Sequence, residues 1–125
     1  MRLKDDFFNI VSFEPIDDGF KCKVCLNSQH QIYQAHFPGT PITPGVCLLQ
    51  MVTEMLEQHI GQALELKSAI DIKFRQIVPP DIQPFFFIKG LSSQHNELLN
   101  IGVSIENEEN TQLARMSLSY KIINH

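Results

Sequence analysis

Tryptophan is absent from this chain of 125 residues, cysteine occurs only three times, and no unbroken apolar run extends beyond a few positions. The short runs exclude a membrane-spanning helix. No block of five like charges occurs and the net charge is −4, so nucleic-acid binding has no electrostatic support. Internal repeats, low-complexity tracts and linker-like stretches are also missing. The segment Met1 to Asp6 turns acidic before any apolar region begins, which is unlike a secretory signal, and a cytoplasmic location is the default expectation.

An odd cysteine count without such a signal points to free thiols. Cys22 and Cys25 spell Cys-x-x-Cys, but they fall in the alternating stretch Lys21-Cys22-Lys23-Val24-Cys25-Leu26. Residues three apart on a strand point to opposite faces, so this pair is read as neither a metal site nor a redox site. No metal site is expected.

What remains is an ordinary globular composition, 43% hydrophobic and 19% charged, enough for one domain over residues 1–125. Phe7 to Phe13 reads as a strand, Asp17-Asp18-Gly19 as a turn, and about Phe20 to Asn27 as a second strand. A Gly/Pro loop leads into one long helix from about Pro44 to Ile60, stopped by Gly61. Leu48, Leu49, Val52, Met55, Leu56 and Ile60 mark its buried stripe. Everything later reads β. Ile70, Ile72 and Phe74 alternate with charged residues, Val78-Pro79-Pro80-Asp81 breaks the pattern, and Phe85 to Ile88 begins a new strand. Ile101, Val103 and Ile105 alternate again, Glu106 to Asn110 reads as a hairpin turn, and Ala114 to Ile122 closes the series. A lone helix has nothing but the sheet to bury it, so the sheet must curl around it. The expected class is α+β, one long central helix wrapped by a curved antiparallel sheet of about five to six strands.

The densest signal is His36-Phe37-Pro38-Gly39-Thr40-Pro41-Ile42-Thr43-Pro44-Gly45. It sets one histidine on a stiffened loop directly ahead of a helix start. Thr43 is suited to the N-cap and Pro44 to the first helical position. An imidazole beside unpaired helix N–H groups can hold a carbonyl and move a proton next to it. Other histidines, His30, His59, His95 and His125, lack such a setting and are assigned structural or surface roles. Cys47 is read as a small buried filler near the motif.

These ten residues resemble the signature of the β-hydroxyacyl-acyl carrier protein dehydratases, which have the hot dog fold. Lys73-Phe74-Arg75 and Val78-Pro79-Pro80-Asp81 extend the resemblance, with Pro80 where a glycine is usual. The resemblance implies a lyase of fatty acid or related acyl-chain synthesis. It would remove water from a 3-hydroxyacyl thioester to leave a trans-2-enoyl thioester. It implies no cofactor of the protein's own, because the acyl group rides on the phosphopantetheine of an acyl carrier protein. That partner is acidic, and Lys67, Lys73 and Arg75 are candidates for a local docking patch. Carried over by position, His36 is the base that takes the C2 proton. Gly45 offers its N–H to the thioester carbonyl, and Phe37, Pro44 and Val46 are substrate-binding positions beside it.

One position departs from the family. Fourteen residues after His36, where the family has Glu or Asp, this chain has Gln50, and one turn later, where Gln is common, it has Glu54. An amide cannot supply an ionisable proton. Positions four apart share a helix face about 6 Å apart along the axis. Departure of the hydroxyl is assigned to Glu54 or Gln50, and Glu54 is read in two ways, as the acid that assists it or as part of a solvated stripe with Thr53 and Glu57. Family members dimerise and build each site from two subunits, which opens a further reading. The chain would be a weakened subunit, in a homodimer or in a heterodimer with a Glu-bearing dehydratase. An acyl thioesterase is the third function class that the fold would allow.

Overall fold

The computed structural model describes residues 2–35 and 39–123. Among the described residues there are six strands, one long helix and two short helical turns. In chain order these are β1 (Phe8–Ile16), β2 (Gly19–Leu26), α1 (Gln31–Ala35), α2 (Gly45–Ile60), β3 (Ala63–Phe74), β4 (Phe85–Lys89), a 3₁₀ turn (Leu91–Ser93), β5 (Leu98–Glu106) and β6 (Gln112–Ile123). The strands form one sheet in the order β1-β2-β4-β5-β6-β3, antiparallel throughout. This is the hot dog arrangement expected above.

Alternation sets the layers. Phe20, Cys22, Val24 and Leu26 of β2 face inward, as do Leu99, Ile101, Val103 and Ile105 of β5. Together with Cys47, Leu48, Met51, Val52, Met55 and Leu56 of α2 they belong to one continuous core. On the opposite face Lys21 lays its ammonium 4.9 Å from the Phe85 ring centre and 5.4 Å from that of Phe87. Cys22 is buried while Cys25 is exposed, as strand geometry requires of residues three apart.

The structure moves several boundaries. β1 runs on through Pro15 to Ile16, because as an edge strand it does not need every N–H for pairing. β3 begins at Ala63, seven residues before the clean alternation, since two register shifts break the period between Leu66 and Asp71. Those shifts and the edge position leave Ile70 and Phe74 exposed (74% and 52%) where alternation placed them under cover. Leu49 and Ile60 are only partly buried, and Met51 takes a central core place instead. Thr43 is not the N-cap: Pro44 occupies that position without a side-chain cap bond.

Gly61 ends α2 in a left-handed conformation (φ 76°) with open space around it, and Gly90 turns the chain after β4 at φ 108°. A Cβ on Gly90 would lie 2.3 Å from the Asn100 carbonyl oxygen. Gly61→Ala is therefore expected to cost about 1 kcal/mol, the left-handed penalty alone. Gly90→Ala, which adds a backbone clash, should cost about 3 kcal/mol. Urea midpoints measured with an unchanged slope check both values.

Candidate active site

The start of α2 is fixed from three sides. Thr43 donates its N–H to the Val78 carbonyl (2.8 Å), which ties the approach to the connection between β3 and β4. Pro44 has extended backbone, and its carbonyl accepts from Cys47 N (3.0 Å) and Leu48 N (3.3 Å), so the helix turns at once. Gly45 follows, with the Phe74 ring so close that a Cβ there would lie 2.5 Å from Cζ. Beside it opens a cleft of about 340 Å³ lined by Ile42, Pro44, Gly45, Leu48, Phe74 and Val78, among others. The first N–H groups of α2 have no acceptor four residues back within the helix and carry its positive dipole end. An oxyanion or polarised carbonyl placed here is electrostatically favoured.

Thr43 uses its hydroxyl elsewhere. Its Oγ1 lies 2.8 Å from the Tyr33 hydroxyl, and both residues are buried. Tyr33 belongs to α1, which is too short to print a period on the sequence, and its ring stacks on Phe7 with centroids 5.3 Å apart. Phe7 also meets His30 edge-on at 5.2 Å. Nδ1 of His30 accepts from Ile32 N (3.1 Å), so Nε2–H donates to Asp6 (3.0 Å), in keeping with the structural role expected of it.

Along α2 the polar stripe is partly to fully buried. Glu54 is 2% exposed, and its two oxygens accept from Leu3 N (2.7 Å) and Lys4 N (2.8 Å) of the N-terminal segment. Gln50 donates Nε2–H to the same carboxyl group at 2.9 Å. Thr53 meets the Tyr120 hydroxyl of β6 at 2.8 Å, and Glu57 accepts from Leu64 N at 2.9 Å. Glu54, Thr53 and Glu57 thus join the helix to other parts of the chain, while Gln50 is bonded to Glu54 within it. The wet-face reading is overturned for Glu54, which the N-terminal segment covers, while Thr53 and Glu57 are partly buried.

The sequence-derived positions divide as follows. His36 and Phe37 lie outside the described residues. Pro44, Gly45 and Val46 stand together at the helix start, Val46 well exposed at 65%. Gln50 and Glu54 are in direct contact. Lys67, Lys73 and Arg75 are exposed on and just after β3; Lys67 lies 3.5 Å from Glu65, and Arg75 donates to Gln112 at 2.8 Å. Cys47 is buried, and burial pushes its thiol up. Sequence reasoning missed Tyr33, and also Leu3 and Lys4 as backbone donors; a tyrosine three residues before the motif and a threonine within it were the only available signal. Among the described residues no group of His, Cys, Asp and Glu could hold a metal, and no helix is long and apolar enough to cross a membrane.

Removing the Glu54 carboxyl by Glu54→Ala leaves two backbone donors without their acceptor, one of them buried. A loss of about 3 kcal/mol is expected, with accelerated amide exchange at Leu3 and Lys4. A second expectation concerns the only two tyrosines, Tyr33 and Tyr120, whose phenols burial pushes up to about 12. In the unfolded chain they ionise near the ordinary value of 10.0, so their contribution to stability is complete below pH 10 and is lost between about 10 and 12. An ultraviolet titration should therefore find tyrosinate absent at pH 10 and rising together with alkaline unfolding.

Comparison with known proteins sets these features in context. The family described as ApeI-like (ApeI dehydratase) matches residues 14–115. A 3-hydroxyacyl-[acyl-carrier-protein] dehydratase FabZ from Latilactobacillus sakei is 32% identical, with 57% of this chain and 55% of that protein covered. The FabZ of Levilactobacillus brevis is 22% identical, with 77% and 73% covered. This chain thus spans little more than half the length of the first and under three quarters of the second. Among solved structures, the dehydratase heterocomplex ApeI:P from Xenorhabdus doucetiae superposes with a TM-score of 0.72 at 16% identity, covering 90% of this chain and 96% of that one. A hypothetical thioesterase with coenzyme A from Streptococcus pneumoniae gives 0.65 at 12%, with 94% and 87% covered. At such identities these two likenesses are likenesses of fold.

Proposed function

Because the chain belongs to the ApeI-like dehydratase family, we propose that it dehydrates 3-hydroxyacyl thioesters carried on an acyl carrier protein. The observation that carries this reading is the His36 to Gly45 motif running directly into the N-terminus of a buried helix. The thioester carbonyl accepts from Gly45 N–H, where the helix dipole stabilises the negative charge that develops on oxygen. His36 takes the C2 proton, the C2=C3 bond forms, and the C3–O bond breaks. Gln50 faces the hydroxyl as a hydrogen-bonding group held by Glu54. An amide yields no proton. The proton that turns the hydroxyl into water is the one His36 has just gained, or one from an acid of another subunit.

Pairing of subunits is part of the proposal. β3 is an edge strand, and Ile70, Phe74, Ile77 and Val46 leave apolar surface exposed along it and at the helix start. A second subunit burying that surface would gain roughly 25 cal/mol for each Å² covered. Gln50, together with a Glu54 already bonded to the N-terminal segment, favours a specific second reading. In it the chain partners a dehydratase subunit that brings its own carboxyl group. The similar structure is itself a dehydratase heterocomplex, which accords with that arrangement.

Hydration of an enoyl-carrier protein, followed by loss of enone absorbance and by mass spectrometry of the acyl carrier, tests both readings. Turnover that falls at least about 10²-fold in His36→Ala supports an autonomous site. In that case Gln50→Glu should raise the rate about tenfold or more. Equal inactivity of the native chain and His36→Ala overturns the autonomous reading. Turnover regained on adding a Glu-bearing dehydratase subunit would then establish the partner reading. Release of free acid and thiol would instead identify a thioesterase.

A further inference from the structure

The connection between α1 and α2 contains the histidine on which the proposed reaction rests, and its two ends are joined to each other. Tyr33 precedes His36 by three residues and Thr43 precedes α2 by two. Their hydroxyls lie 2.8 Å apart, and both residues are almost fully enclosed, 2% and 4% exposed. Each end is also anchored separately. The Tyr33 ring stacks on Phe7, and the Thr43 N–H is bonded to the Val78 carbonyl. Neither hydroxyl is needed for these anchors. Thr43 does not cap α2 with its oxygen. The hydroxyl pair closes the ends of the connection on one another, in a place where water cannot substitute for a missing partner.

We propose that Tyr33 and Thr43 are positioning residues whose hydroxyl pair holds together the two flanks of the segment containing His36, ahead of the Gly45 N–H. This rests on the dehydratase reading, and it adds two residues that touch neither substrate nor thioester. The physical basis is the steepness of proton transfer with geometry. A displacement of about 1 Å can cost on the order of 10² in rate, while the binding contacts elsewhere stay intact. Nine residues separate Tyr33 from Thr43, the first two of them in α1, and such a span tolerates a displacement of that size unless its ends are held in one relative arrangement. The pair acts on turnover and leaves carrier and thioester binding unchanged.

Three variants isolate the hydroxyls. Tyr33→Phe keeps the ring and its stack on Phe7, Thr43→Val keeps the shape, and Thr43→Ser keeps the hydroxyl. Tyr33→Phe and Thr43→Val should each lower kcat by tenfold to a hundredfold with KM changed less than about twofold. Thr43→Ser should retain most of the native kcat, and the double variant should be no slower than the slower single one. Amide exchange at Gln34, Ala35, Gly39 and Thr40 should rise in Tyr33→Phe while the β5–β6 amides remain unchanged. Native kcat in both Tyr33→Phe and Thr43→Val overturns the proposal, as does a loss in Thr43→Ser equal to that in Thr43→Val. His36→Ala measured alongside reports on the reaction itself. If the native chain is inactive in every assay, the dehydratase reading fails and exchange alone decides. Faster exchange at those four amides sustains the positioning role, and unchanged exchange overturns it.

Discussion

A single helix of sixteen residues must be buried, and the only large partner the chain offers is its own sheet. Most of the architecture answers that constraint. The sheet curls, its inner face takes up Leu48, Met51, Val52, Met55 and Leu56, and its outer face is left to lysines lying over phenylalanines. Enclosure has a cost wherever the helix carries polar atoms, since a buried polar group without a partner is destabilising by about 1–3 kcal/mol. Three polar side chains of the helix have found partners outside it. Glu54 holds the N-terminal segment, Thr53 holds β6, and Glu57 holds the start of β3. The helix is thereby fixed in rotation as well as buried, and its N-terminus is held at one point relative to β3 and the loop before it.

Element type and order were legible because the chain switches from period 2 to period 3.6 and back, with Gly and Pro marking the changes. β2, β4, β5 and the end of α2 at Gly61 follow that pattern closely. The pattern weakens where the fold departs from regularity. The register shifts in β3 hide its first half, and five residues of α1 are too few to establish a period. Exposure of Ile70 and Phe74 was not legible either. Alternation reports that one face of a strand is apolar, and it is silent on whether the same chain covers that face.

The candidate site was legible as a motif and opaque as a network. His36 to Gly45 announces a histidine loop ahead of a helix, and Pro44, Gly45 and Val46 do stand at that helix start. Hydrogen bonds between residues far apart in sequence leave no local trace. Nothing around Glu54 names Leu3 and Lys4, fifty-one and fifty residues away, as the donors to its carboxyl group. Thr43 illustrates the same limit in reverse. Its residue type fits an N-cap, but a buried tyrosine hydroxyl within reach competes for the same oxygen and takes it.

The interchange of acid and amide along α2 is therefore more than a relabelling of two equivalent positions. One helical turn, about 6 Å along the axis, separates Gln50 from Glu54, which lies under the N-terminal segment. A carboxyl group at position 54 satisfies two converging backbone donors. An amide there would turn its own NH₂ toward one of them, so the reverse exchange is blocked by structure even where chemistry would favour it. An acid can return to position 50 only with Glu54 kept in place. The introduced group would stand one turn from a carboxyl group already committed to two backbone donors. The N-terminal segment, remote from α2 in sequence, thus fixes position 54 as the one that must keep its carboxyl group.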